Sequence, residues 1–95
     1  MIKQADQGDP IGIEITFENA GVPYDCDPSF AAITPTGRKI DIAPANVTHV
    51  GTGVYRAWHS SKAAAGDWRI EAYGDTDADP VGVAEWRVRP TRING

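Results

Sequence analysis

Ninety-five residues are one domain's worth of chain, enough to bury a working core without metal or disulfide support and too few for two cores. A hydrophobic fraction of 41% with 23% charged residues excludes a long disordered chain, and a net charge of -4 gives no general attraction to a phosphate backbone or an anionic membrane. Nucleic acid and membrane are therefore not expected partners. The lone cysteine, Cys26, closes no internal bridge and suits folding in a reducing cytoplasm. The opening MIKQADQGDP lacks the apolar core of a signal peptide, and no run approaches the roughly 18 apolar residues of a membrane span, so a soluble, unexported chain is expected.

In chain order, Ile11, Ile13, Ile15 and Phe17 alternate with Gly12, Glu14 and Thr16, the period of a strand that buries one face. Asn19-Ala20-Gly21 reads as a turn, and Val22 to Pro28 as an extended connection around Asp25-Cys26-Asp27. Ser29 to Thr34 is a second strand, with Phe30 and Ile33 on opposite faces and the inward one left open. Pro35-Thr36-Gly37 combines a fixed φ with a residue that tolerates positive φ, so it turns the chain into Arg38 to Ile42 as a hairpin. Pro44 ends that strand, Val47 to Val50 adds a short one, and Gly51-Thr52-Gly53 turns again.

The stretch from Gly51 to Pro90 holds all three tryptophans and reads as three strands of one half-buried antiparallel sheet. In the first, Tyr55 is placed inward, because the alternative buries Arg56 without a partner. Ser61 to Ala65, a serine followed by Lys62 and three alanines, predicts about one helical turn. Trp68, Ile70 and Ala72 then alternate with Arg69, Glu71 and Tyr73. Ala84, Trp86 and Val88 alternate with Glu85, Arg87 and Arg89 in the same way. About seven short strands predict an all-β fold, a single antiparallel sandwich over residues 1–90, with a polar tail at 91–95.

No motif in the chain carries chemistry. Asp75-Thr76-Asp77-Ala78-Asp79 copies the opening of a helical calcium loop, but Pro80 replaces the glycine of the bend and Trp86 stands where the bidentate glutamate belongs. It reads as a solvated loop. His49 and His59 lie too far from each other and from further ligands in sequence to form a zinc pattern, and Cys26 has no local signature of an activated nucleophile. No catalytic residue, cofactor or metal is expected. Trp68 and Trp86 fall on apolar faces and read as core, whereas Trp58 falls opposite the inward Tyr55 and is the candidate anchor for a protein neighbour. Arg69, Arg87 and Arg89, with Glu71 and Glu85 among them, form either a solvated charged face or a polar contact surface.

Together, Phe17 to Gly21, Asp27-Pro28, Pro35-Thr36-Gly37, Gly53-Val54-Tyr55, Gly66-Asp67-Trp68 and Ala84 to Pro90 follow one another in an order that resembles the immunoglobulin-like structural proteins of tailed bacteriophage virions. The resemblance spans nearly the whole chain. It implies an immunoglobulin-like sandwich and a non-enzymatic role as head decoration, head-to-tail junction or tail component, assembled in the host cytoplasm. The implied partners are other virion proteins and copies of the chain itself. A carbohydrate- or receptor-binding module on a phage tail or bacterial surface is the alternative, with exposed aromatics and the Asp75 to Asp79 loop as its glycan site.

Overall fold

Residues 2–75 and 80–90 are described by a computed structural model. The chain is all-β, with ten strands and, among the described residues, no α-helix; one 3-10 turn spans Pro44–Asn46. The strands are β1 (Lys3–Asp6), β2 (Pro10–Thr16), β3 (Glu18–Asn19), β4 (Val22–Pro23), β5 (Ser29–Ile33), β6 (Lys39–Asp41), β7 (Val47–Gly51), β8 (Val54–Ser60), β9 (Gly66–Tyr73) and β10 (Gly82–Arg89). They form a five-stranded sheet in the order β1-β10-β9-β5-β6, a three-stranded sheet β2-β8-β7, and the small β3-β4 ribbon. All seven expected strands are among the ten.

Period-2 patterning explains how the two larger sheets meet. Ile11 and Ile13 of β2 with Tyr55 and Ala57 of β8 face Phe30, Ala32, Trp68, Ile70, Ala72 and Val88 of the other sheet, and all are buried in one core. Phe30 is thus the inward residue of β5, and Tyr55 points inward as expected. The Trp68 indole, 2% exposed, is the largest buried group, and its Nε1–H donates to the Ala64 carbonyl at 2.9 Å, so no buried polar atom is stranded. Phe17 meets Tyr55 edge to face at 5.7 Å between ring centroids.

Four features differ from the sequence-based expectations. First, β8 does not join β9 and β10 in one sheet; it pairs antiparallel with β2 and β7 in the opposite layer. Alternation fixes which face of a strand is buried but not which sheet it enters, and the segment after β8 carries the chain across between layers. Second, that segment is not helical. Ser61 is fully buried and uses its hydroxyl across the chain, accepting from Gly8 N–H at 3.0 Å and donating to the Asp9 carbonyl at 2.8 Å. A serine spent on the β1–β2 turn cannot cap a helix of its own.

Third, Lys3-Gln4-Ala5-Asp6 is a strand, and its pairing with β10 is parallel, so the five-stranded sheet is not purely antiparallel. Only Ala5 of the four is buried, packed in the same core as its ladder partner Val88, and this gives too little apolar signal to read as a strand. Fourth, Glu71 faces outward with Arg69 as expected but is 8% exposed. It lies between Ala31 of β5 and Val83 of β10, accepts a hydrogen bond from the Tyr73 hydroxyl at 2.6 Å, and has the Arg69 guanidinium at 3.6 Å. That hydrogen bond to a carboxylate, aided by desolvation, raises the Tyr73 phenol above its ordinary pKa.

The turns follow their residue chemistry. Ala20 and Gly21 both take positive φ, 52° and 81°, as a two-residue hairpin turn between β3 and β4 requires. Gly37 at φ 89° closes the β5–β6 hairpin, with Gly37 N–H on the Thr34 carbonyl at 2.9 Å.

Because Ile70 is fully buried at the centre of this core, Ile70→Ala is expected to lower unfolding stability by about 2–5 kcal/mol. Urea denaturation checks this: the midpoint should fall with the slope unchanged.

Candidate functional site

A shallow apolar surface lies where the edge of the three-stranded sheet meets the open flank of β10. It is a groove of about 430 Å³ whose lining includes Lys3, Gly12, Glu14, Arg56, Trp58 and Trp86. Local sequence dictates its shape. At Gly12 the backbone of β2 comes so close to β8 that an added Cβ would sit 2.2 Å from the Ala57 carbonyl oxygen. Only glycine fits there, opposite its ladder partner Trp58.

The two indoles of the groove are held differently. Trp86, on the inward face of β10, is half-buried, and its Nε1–H donates to the Gly12 carbonyl at 2.9 Å. It therefore packs against the core on one side, as expected, and borders the groove on the other. The Lys3 ammonium stands 5.5 Å from the centre of its ring. Trp58, on the face of β8 opposite Tyr55 and Ala57, is also half-buried, and its indole N–H finds no hydrogen-bond partner among the described residues. Trp68 and Trp86 both have theirs committed to main-chain carbonyls. Beside Trp58, Arg56 Nη2 binds Glu14 Oε1 at 2.7 Å and Arg56 Nε binds the same oxygen at 3.2 Å.

The three arginines lie elsewhere. Arg69, Arg87 and Arg89 project from the outer face of the five-stranded sheet, and each is engaged within the chain. Arg87 Nε lies 3.2 Å from Asp67 Oδ1, Arg89 Nη2 lies 3.0 Å from Asp6 Oδ1, and Arg69 faces Glu71. The structure thus does not bring them to Trp58. Of the Asp75 to Asp79 loop, residues 76–79 lie outside the described residues, as does the 91–95 tail. Asp75 itself accepts a hydrogen bond from the Asp27 amide, and among the described residues no three His, Cys, Asp or Glu side chains gather to hold a metal ion.

A second polar cluster, not foreseen from the sequence, pins the Tyr24 to Pro28 connection. Asp25 Oδ1 accepts from Gly53 N–H at 2.7 Å and from His49 Nε2 at 2.9 Å, while the His49 ring stacks on Tyr55 at 4.5 Å. The Tyr55 hydroxyl donates to the Cys26 carbonyl at 3.0 Å and accepts from the Cys26 amide at 3.2 Å. Gly53 is positive in φ at 72°, and an added Cβ would lie 2.7 Å from the Phe17 carbonyl, so the turn admits no side chain. The sequence signal was the Gly51-Thr52-Gly53 turn; its partner Asp25 lies 28 residues away and carries no local mark.

No protein-family model matches the chain, and no curated protein sequence matches it.

The Gly53 amide, followed by the histidine, holds the Asp25 carboxyl below its ordinary value of 3.8. A carboxylate depressed on folding contributes stability that is present above the unfolded-state pKa and is lost as pH falls through the lower folded value. Asp25→Ala should therefore melt below the wild type at neutral pH, with the difference closing below about pH 4. Paired thermal melts across an acid series measure it; a gap that persists at pH 2 would remove Asp25 as the cause.

Proposed function

We propose that this chain is an immunoglobulin-like β-sandwich that serves as a non-enzymatic structural subunit of a tailed-phage virion, docked to protein neighbours through the Trp58 groove. The fold assignment is supported by strand order. β10, β9, β5 and β6 form one sheet with the first strand added in parallel, while β2, β8 and β7 form the other; a division with the last two long strands in one layer and β2 in the other supports the reading of a G-F-C sheet packed on a B-E-D sheet. The residue order that resembles virion sandwiches supports the setting, with assembly in the host cytoplasm and no role for nucleic acid or membrane.

One observation carries the docking site. The Trp58 indole N–H is unpaired among the described residues, and its ring borders an apolar groove. A large ring with an unused donor beside a fixed ion pair has the make-up of an interface anchor, since a neighbour that covers it buries apolar area and supplies one acceptor.

The same groove favours a second reading, a glycan-binding module. Two indole rings with Glu14, Arg56 and Lys3 around them offer stacking surfaces beside polar groups. On this reading the sugar stacks in the groove, in place of the exposed aromatics with the Asp75 to Asp79 loop that the sequence suggests.

Trp58→Ala separates the two. On the assembly reading the purified variant keeps its melting temperature to within a few degrees, because the ring is already half-exposed, and it no longer co-sediments with virions. Normal incorporation together with loss of binding on a glycan array would replace the assembly reading with the sugar reading. A wild-type protein absent from purified virions would end the virion assignment.

A further inference from the structure

β6 forms one rim of the five-stranded sheet, and among the described residues no strand pairs with its far side. The hydrogen bonds on its near side determine what that rim offers. Thr34 N–H donates to the Arg38 carbonyl and Ile42 N–H to the Phe30 carbonyl, each at 2.9 Å, on either side of the Ala32–Ile40 ladder pair. An antiparallel ladder sends both main-chain groups of a residue toward the same neighbour and alternates along the strand. Arg38, Ile40 and Ile42 therefore face β5 with theirs, and Lys39 and Asp41 turn N–H and C=O outward. Among the described residues nothing meets those outward groups. The side chains of Lys39 and Asp41 stand on the outer face with their ladder partners Ile33 and Ala31. The Lys39 ammonium lies 4.8 Å from the centre of the Tyr73 ring, and Asp41 has no ion-pair partner among the described residues. Ile40, on the core side with Ala32, is only half-buried. By contrast β7, an edge of the smaller sheet, is irregular in register between His49 and Gly51, a bulge of the kind that turns an edge away from pairing.

We infer that this rim is where two copies of the chain join, β6 against β6, so that their larger sheets become one. A two-fold axis sets the identical strands antiparallel, and outward main-chain groups must then meet outward ones. Three registers within the strand satisfy this. Lys39 opposite Lys39 and Asp41 opposite Asp41 place like charges face to face, which destabilises a pair of strands. The third register, centred on Ile40, sets Lys39 of each copy opposite Asp41 of the other. Both pairs are hydrogen-bonded pairs, so every main-chain group left outward by Lys39 and Asp41 finds a partner, and an ion pair lies over each. Ile40 meets its own counterpart at the intervening non-hydrogen-bonded position, where side chains come closest, about 4.5 Å between Cα atoms, and its exposed half is covered. The charges that reject the other two registers thus select this one. Such a contact is isologous and closes at two copies. It uses no part of the Trp58 groove and stands whether or not the chain belongs to a virion.

Sedimentation velocity of the purified full chain tests this over micromolar to millimolar concentrations. The weight-average mass should climb with concentration toward that of a dimer and no further. Lys39→Asp leaves an all-acidic rim and Asp41→Lys an all-basic one, so each variant by itself should associate about tenfold more weakly than the wild type. An equimolar mixture of the two should regain wild-type association, because every cross-strand pair in the mixed dimer is again opposite in charge. Both positions are exposed, so each variant should keep the melting temperature of the dilute wild type to within a few degrees. Amide exchange locates the contact: the Lys39 and Asp41 amides should slow as concentration rises, while that of Ile40, which already faces β5, should not change. A chain that stays monomeric at millimolar concentration overturns the inference and leaves the rim to a strand of another protein. Association that survives undiminished in either variant alone overturns it too, as does a mixture that fails to recover it or a mass that climbs past the dimer.

Discussion

The hydrogen bond from Trp86 Nε1 to the Gly12 carbonyl is the constraint on which the open side of this molecule depends. It runs from the inner face of one sheet to the edge strand of the other, so it ties the layers together at the place where no β-ladder can. It exists because Gly12 brings β2 hard against β8 and leaves its carbonyl within reach of a ring from the opposite layer. Replacing that ring with an aliphatic side chain of similar bulk would keep much of the packing but leave an edge carbonyl without its donor, and an unmade buried hydrogen bond costs more than a made one contributes. The two concave surfaces, one lined by Trp58 and the other by Ile13 and Ile15, both border this seam.

Elsewhere, loops are held by single polar side chains that each serve two segments. Ser61 fastens the β1–β2 turn, Tyr55 fastens Cys26, and Asp25 fastens both Gly53 and His49. The logic is the same in each case: a connection with few apolar residues cannot be positioned by burial, so its backbone groups are satisfied one at a time. Tyr55 shows how both modes combine. Its ring packs in the core against Phe17 and its hydroxyl holds the main chain of Cys26 on both sides.

How much of this was legible in the sequence follows from the range of each signal. Alternation over Ile11 to Phe17 and over Trp68 to Ala72 is a local property, and it located the strands and the inward face correctly. Turn residues such as Gly37 are local too. The layer to which β8 belongs is set instead by pairing with the distant β2, in register from Pro10↔Ser60 to Thr16↔Val54, and the strand pattern of β8 suits either sheet. The buried Ser61 was misjudged for the same reason, since its partner Gly8 is remote. Glu71 kept its predicted direction, yet small and β-branched neighbours with Tyr73 cover it, a cross-strand effect that no single strand reveals. For the groove, Trp58 could be singled out from parity alone, but the close approach of β2 to β8 at Gly12 appears only when the two strands are in register.

The placement of the arginines bears on where a partner can bind. Arg87 with Asp67, Arg89 with Asp6 and Arg69 with Glu71 already balance one another on the outer face of the five-stranded sheet. A neighbour covering that face would have to desolvate ion pairs that gain little from their mutual attraction while exposed, and it would receive few unpaired groups in return. The seam presents the opposite balance. Its apolar walls lose little hydration when covered, and the Trp58 N–H and the Glu85 carboxylate, which have no partner among the described residues, border it. On the proposed reading, shape and electrostatics therefore favour contacts at the seam over the face with the most charge.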